Sequence, residues 1–162
     1  MVTWTLRVLA LAAGAALLGA GQPHSDALYF LGTWKCAGVT WTFLPLADGG
    51  PWIRDIYGDP AHPDGTAVLG HVDGLHAWVY RDFHADGSYA DLTSPGLKDG
   101  RWEWTGSYYP ASGGAALEAR ISYVIVDPAR FDRIFESQKD GTFAKMGGDT
   151  CAKTSEAASP KP

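Results

Sequence analysis

Basic residues, cysteine and methionine are scarce in this chain of 162 residues. It contains 13 Lys and Arg against 18 Asp and Glu, which gives a formal net charge of −5 at pH 7. Binding to nucleic acid and to anionic lipid relies on a surplus of basic side chains, which this composition lacks. The charge balance therefore predicts no nucleic-acid partner.

Short catalytic and cofactor-binding motifs are also missing. The sequence has no Gly-x-Ser-x-Gly elbow, no phosphate-binding loop, no Cys-x-x-Cys pair and no His-Glu-x-x-His zinc motif. Each of these patterns places a nucleophile, a cradle of backbone amides or metal ligands at the spacing that its chemistry needs. We expect no cofactor and no metal, and the motifs give no support for an enzyme.

Only one long apolar run is present, at residues 8–20, directly after Arg7. The charge, the run and the small residues that end it are typical of a secretory signal peptide, which we expect at residues 1–27 with cleavage after Ala20 or after Ala27. The run is too short to span a bilayer as a mature anchor, so no stable membrane insertion is expected after cleavage. The predicted location is secreted or periplasmic.

A helical period is absent after this leader. Gly-containing turns recur instead, among them Asp64-Gly65, Asp86-Gly87 and Asp140-Gly141, which suit tight hairpins. The segments between turns are short and rich in β-branched and aromatic residues. The candidate strands are residues 32–44, 52–57, 66–72, 76–84, 88–93, 101–109, 116–126, 130–138 and 142–151. The pattern predicts an all-β domain at residues 28–153, an antiparallel up-and-down meander closed into a barrel of about 8–10 strands, before a disordered tail at 154–162.

One segment of the domain, residues 58–65, is too rich in Pro and Gly to fit a strand. We expect an ordered loop there. Such a loop can cover the open mouth of a barrel or act as a plain connector.

The two cysteines of the chain stand at opposite ends of the predicted domain. Cys36 lies on the first candidate strand and Cys151 on the last. Two cysteines in an exported domain predict one disulfide, and a bond between first and last strands favours a closed barrel over a sandwich. The alternative is a pair of free, buried thiols.

Aromatic residues occupy the inward face of several strands. Trp102 and Trp104 alternate with polar neighbours, and Tyr123 lies on the apolar face of the following strand. Together with Trp78 and Tyr80 they can line a cavity for a flat or apolar ligand, or simply fill a small barrel.

The segment Gly32-Thr33-Trp34, on the first strand of an exported meander with a first-to-last-strand disulfide, resembles the calycin superfamily of lipocalin-like and avidin-like barrels. The overall likeness is to small secreted bacterial domains of unknown function with a lipocalin-like barrel. The resemblance implies that Trp34 plugs one end of the barrel beneath an Arg from a late strand, for which Arg133 is the candidate. Where avidins carry a biotin-contacting Asn this chain has Cys36, so biotin binding is not expected.

Histidines and carboxylates near two turns are further candidates. A two-residue turn at Asp73-Gly74 would place His71 opposite His76, one ligand short of a zinc site, whereas a three-residue turn would separate them. Across the next turn, Asp82 would lie opposite Asp91 as an acid/base pair or a weak calcium site. Solvated side chains are the simpler interpretation of both pairs.

Three functions follow from these patterns. The first is an exported lipocalin-like barrel that binds a small, partly apolar ligand in an aromatic-lined interior. Its predicted contacts are Trp78, Tyr80, Trp102, Trp104, Tyr123, Arg133 and His76, with Arg133 or Arg120 as the counter-ion of an anionic ligand. The second is a barrel without a pocket that acts as an envelope or extracellular interaction domain. The third is an enzyme with His76 and Asp82 as acid/base groups.

Overall fold

The computed structural model describes residues 25–47, 51–59 and 61–155, and these residues form a single antiparallel sheet. Most of the predicted signal peptide, including Ala20, and nearly all of the predicted tail lie outside the described residues. Within those ranges no helix has the length and apolar character needed to cross a membrane.

The described chain begins with one short helix and continues as strands. The helix is α1 (Ser25–Leu28), and the strands are β1 (Gly32–Cys36), β2 (Val39–Pro45), β3 (Trp52–Asp59), β4 (His62–Val72), β5 (Ala77–His84), β6 (Tyr89–Ser94), β7 (Leu97–Lys98), β8 (Arg101–Tyr109), β9 (Leu117–Asp127), β10 (Arg130–Lys139) and β11 (Thr142–Ser155). The predicted all-β class is confirmed.

The sheet closes on itself. Strands β1 to β6 pair in chain order, and so do strands β8 to β11. In addition, β6 pairs with β8 and β1 pairs with β11. Ten strands therefore form a closed up-and-down barrel, and the two-residue β7 is an extra strand paired with β8. Among the described residues, closure leaves no barrel strand with an unpaired edge, which removes a template for aggregation.

The disulfide bridges the strand pair that joins the start of the domain to its end. Cys36 lies directly opposite Cys151 in the β1–β11 pairing, and the two are bonded and fully buried. The prediction of a first-to-last-strand disulfide is confirmed, and the alternative of two free thiols is wrong.

Two predicted segments differ from the structure. The candidate strand at 32–44 is two strands, because Ala37 and Gly38 adopt positive φ angles and form a tight hairpin. The loop expected at 58–65 is wrong, since Gly58 pairs with Pro63 and Asp59 with His62. A register shift after Tyr57 makes the pairing irregular at that point, and irregular pairing tolerates Pro in a strand.

Alternation decides which side chains enter the barrel. Trp41 and Phe43 of β2 are buried while Thr42 between them is only half-buried, and Trp102 and Trp104 of β8 follow the same rule. Successive side chains of a strand point to opposite faces, so the large apolar residues share the interior. The core is therefore the inside of the barrel.

Candidate functional site

One end of the barrel is closed by packed aromatic rings. Trp34 is fully buried, and its Nε1 donates a hydrogen bond to the carbonyl oxygen of Phe30 at 2.7 Å. The Phe30 ring follows α1 into the barrel and lies 5.2 Å from Phe131 and 5.3 Å from Trp102, between ring centroids. The helix and Phe30 thus cover this end, and Trp34 packs beside them.

The aromatic residues predicted to contact a ligand belong mainly to this packed region. Trp102 lies 4.8 Å from Trp78 and is stacked on Trp104 at 4.7 Å, between ring centroids. Tyr80 lies 5.4 Å from Trp104, and Tyr123 is 5.6 Å from Phe30. Their rings contact one another, and ligand contact at these residues stays a prediction.

Arg133 does not cover Trp34 as expected. Its guanidinium carbon lies 3.9 Å from the centroid of Trp41, and the cation over the Trp34 ring is the ammonium of Lys153, at 5.2 Å. The prediction is wrong because Phe131, two residues earlier on the same inward face, takes the position beside Trp34. Arg133 instead donates two hydrogen bonds to Asp149, at 2.8 and 2.6 Å.

A polar network lies toward the other end of the barrel, where three strands align Tyr57, Gly65 and His84 across β3, β4 and β5. Gly65 has no side chain, so the Tyr57 ring can reach over it. A Cβ at this position would lie 2.1 Å from the Tyr57 hydroxyl oxygen. Gly65 therefore permits the contact between Tyr57 of β3 and His84 of β5.

Tyr57, Asp82 and His84 form a closed set of polar contacts. The Tyr57 hydroxyl donates to Asp82 Oδ1 at 3.0 Å, and its oxygen is 2.8 Å from His84 Nδ1. His84 Nε2 is 3.3 Å from Asp82 Oδ2. With the hydroxyl proton given to Asp82, His84 Nδ1 donates to the Tyr57 oxygen, and a protonated His84 places its Nε2 beside Asp82 Oδ2 as an ion pair. The arrangement fits a protonated, positively charged His84.

The electrostatics of His84 agree with that assignment. The hydrogen bond to Asp82 raises the pKa of His84 above its ordinary value of 6.5, and this outweighs the opposing effect of partial burial. His84 and Asp82 therefore form a partly buried ion pair. Both ring nitrogens of His84 have a partner, Asp82 for Nε2 and Tyr57 for Nδ1.

A second carboxylate lies deeper in the interior. Asp55 is fully buried, and only Ala67 separates it from Asp82 across the sheet. Tyr80 donates to Asp55 Oδ2 at 3.4 Å, while Oδ1 has no hydrogen-bond partner among the described residues. Burial, reinforced by the charge of Asp82, raises the pKa of Asp55 well above 3.8. Sequence reasoning missed Asp55, although its alternation with Ile53 and Tyr57 places it on the inward face.

A cavity of about 270 Å³ opens beside this network, at the end of the barrel away from Phe30. Its walls are mostly apolar. They consist of Ala90, Leu92, Leu117, Ala119, Ile121, Phe135 and Met146, with Asp82, His84, Tyr108, Arg120, Glu136 and Ser137 as polar neighbours. One end of the barrel is thus filled by aromatic rings, and the other end contains the cavity.

The mouth of the cavity carries exposed apolar side chains. Leu117 is 41% exposed and Met146 is 70% exposed, and both line the cavity. Met146 has no partner in the β10–β11 register, since Phe135 pairs with Gly147 and Glu136 with Lys145. The extra residue forms a β-bulge, a feature that re-aims a side chain locally.

The histidine pair predicted near the β4–β5 turn does not form. His71 pairs with Trp78, and a four-residue turn places His76 in an exposed left-handed conformation, away from the lining of the cavity. The two-residue turn was wrong because Asp73–Leu75 forms a 3₁₀ turn. His76 therefore lies in an exposed turn, whereas Asp82, the other acid/base candidate, is buried inside the barrel.

The predicted carboxylate pair is also wrong. Asp82 lies opposite Ala90, and Asp91 lies opposite Arg81, with which it forms an ion pair at 2.7 Å. The connection between β5 and β6 is longer than a two-residue turn, which shifts the facing residues. Within the described ranges, no group of three or more His, Cys, Asp or Glu side chains could hold a metal ion.

The comparisons with known proteins leave the site to be interpreted from its own residues. Neither a scan against protein-family models nor a search of curated proteins gives a match to this chain.

Proposed function

We propose that this protein is an exported, lipocalin-like barrel that binds a small, largely apolar molecule in the cavity at its open end. The observation that carries the proposal is the pairing of one aromatic-filled end with a cavity of about 270 Å³ at the other. A concave, mainly apolar space with a few polar groups is the usual form of a small-molecule site. The aromatic end closes the barrel beneath it.

Export is supported by the leader and by the disulfide. The leader has the composition of a signal peptide, and the bond between Cys36 and Cys151 suits an oxidising compartment. The closed barrel is consistent with the calycin superfamily, and membership in it is part of the proposal.

The size of the cavity limits the ligand. A cavity of about 150 Å³ holds benzene, so one of 270 Å³ scales to roughly eleven non-hydrogen atoms. An aliphatic alcohol such as 1-octanol falls within that limit and is a suitable probe.

The proposal is tested by filling the cavity. Ala119 lines it from β9, whereas Glu118 beside it is exposed. We expect Ala119→Leu to weaken 1-octanol binding at least about tenfold in calorimetry, and Glu118→Leu on the opposite face to leave it unchanged. Unchanged binding to a folded Ala119→Leu variant would contradict the proposal.

A second candidate function is an interaction domain, supported by aromatic side chains on the outer surface. Phe83, Tyr89 and Tyr109 lie opposite one another on β5, β6 and β8, with ring centroids 5.2 and 5.8 Å apart. On this reading, Phe83→Ser combined with Tyr109→Ser should reduce retention of the protein by isolated cell-envelope fractions. Ala119→Leu should leave retention unaffected.

A further inference from the structure

The charges around the cavity are already balanced. We infer that the cavity selects an uncharged ligand, whose polar group can be a hydroxyl or a carbonyl but not a carboxylate or an ammonium, while His84 carries its proton. This inference rests on the proposed function and names the class of ligand for the same site.

The first charge pair of the cavity is Asp82 with His84. The two are 3.3 Å apart, and Asp82 also accepts the Tyr57 hydroxyl. The Asp82 carboxylate is only 6% exposed, so it has little access to water as an alternative partner. An ionic ligand placed beside this pair would carry a charge into the cavity with no counter-charge left to balance it, which is costly.

The second pair is Arg120 with Glu136, which are among the residues around the cavity. Two hydrogen bonds of 2.6 and 2.9 Å join the guanidinium to the carboxylate. Lys145, opposite Glu136, is exposed and does not line the cavity. Arg120 is therefore engaged rather than available as the counter-ion of an anionic ligand.

Arg133, the other expected counter-ion, is also engaged. Its two hydrogen bonds go to Asp149, its guanidinium lies over Trp41, and it is not a lining residue. Its buried Nη1 atom has no hydrogen-bond partner among the described residues, yet the charge is balanced by Asp149. Neither arginine predicted to meet an anion presents an unbalanced charge to the cavity.

Loss of the His84 proton changes this balance. Four titratable groups act on His84: Tyr57 from β3, Asp82 from its own strand, Asp86 from the following loop and Tyr108 from β8, whose ring is 6.0 Å away. Asp86 is exposed and bonded to Ser88. With His84 neutral, the Asp82 carboxylate is left without its cation. The cavity wall then favours a cationic group.

The test uses three probes with the same alkyl chain, namely 1-octanol, octanoate and octylamine, titrated by calorimetry into the disulfide-bonded protein. At about pH 6, where His84 is protonated, we expect the alcohol to bind at least about tenfold tighter than either ion. At about pH 9, octylamine should gain at least about fivefold relative to the alcohol, and octanoate should gain nothing.

A variant of His84 separates its effect on ligand binding from the effects of other titrating groups. His84→Gln removes the positive charge and should give octylamine its gain already at about pH 6. His76→Gln, in the exposed β4–β5 turn, is the matched control and should behave as the wild type.

The outcomes distinguish the two proposals. If octanoate or octylamine binds the wild type at about pH 6 as tightly as 1-octanol, the cavity binds a ligand and only the inference is overturned. If none of the three probes binds at either pH, the proposed function itself fails, and the inference with it.

Discussion

At the scale of single residues, small side chains shape the candidate site more than large ones do. Gly65 lets Tyr57 reach His84, and Ala67 leaves room between Asp55 and Asp82. Side chains that face each other on neighbouring strands are only about 5 Å apart at Cβ, so a large side chain can extend across a neighbouring strand only where that strand carries a small residue. The polar contacts of Tyr57, Asp82 and His84 therefore depend on the small residues Gly65 and Ala67 of β4.

The role of Gly65 can be tested by adding one methyl group. In Gly65→Ala, the Cβ would lie 2.1 Å from the Tyr57 hydroxyl oxygen and 2.9 Å from the backbone oxygen of Phe83. We expect the displacement of Tyr57 to lower the free energy of unfolding by about 1–3 kcal/mol, measured by urea denaturation.

Gly74→Ala is the matched control, since a Cβ there meets nothing within 4 Å. It should change the stability by less than about 0.5 kcal/mol. Equal effects of the two substitutions would contradict the role assigned to Gly65.

At the scale of elements, turn length decides which side chains face each other. A four-residue turn between β4 and β5 sets His71 against Trp78, and the longer β5–β6 connection sets Asp82 against Ala90. Asp-Gly pairs indicate that a turn exists, but the residue at which pairing resumes depends on the packing of both strands. Both predicted side-chain pairs failed for this reason, although the strands themselves were predicted.

The β1–β11 pairing, which joins the two ends of the domain, carries a prediction of its own. The disulfide encloses a separation of 115 residues, and the chain-entropy model assigns a loop of that length about 5 kcal/mol. We expect reduction to lower the free energy of unfolding by about 2–5 kcal/mol in urea denaturation.

The control is the double variant Cys36→Ser with Cys151→Ser, which should not respond to the reductant. A wild-type protein whose unfolding is unchanged by complete reduction would contradict a stabilising role for the bond.

At the scale of the whole molecule, the interior is layered. An aromatic layer fills the end next to α1, a polar layer holds Asp55, Asp82 and Arg133, and the cavity opens beyond it. Buried ionisable groups link the stability of the entire barrel to pH, because folding changes their affinity for protons.

Both Asp55 and His84 have raised pKa values in the folded barrel, the first through burial and the charge of Asp82, the second through its bond to Asp82. Their contribution to stability is fully present below the ordinary values of 3.8 and 6.5 and is lost as the pH rises through the folded values. We expect Tm, measured by circular dichroism, to fall as the pH is raised from about 5 to about 9.

Variants test whether Asp55 causes this fall of Tm with rising pH. Asp55→Asn should raise Tm at neutral pH and weaken the pH dependence, because the amide has no proton to lose, whereas His76→Gln should leave the profile unchanged. A pH dependence of Tm that Asp55→Asn leaves unchanged would contradict the role assigned to Asp55.

The sequence by itself determined the class of this protein. Hairpin turns, alternating aromatic residues and two cysteines at the ends of the domain predict a closed antiparallel barrel with a disulfide between its first and last strands. These features are local or depend only on chain order, so the pattern of residues records them.

Only the tertiary structure decided the site. Arg133 lies over Trp41 rather than Trp34, and the cavity adjoins His84 rather than the stacked tryptophans. Each of these depends on the register between strands, where a shift of one residue exchanges the inner and outer faces. Register is fixed by the packing of the whole interior, which the order of residues along one strand does not reveal.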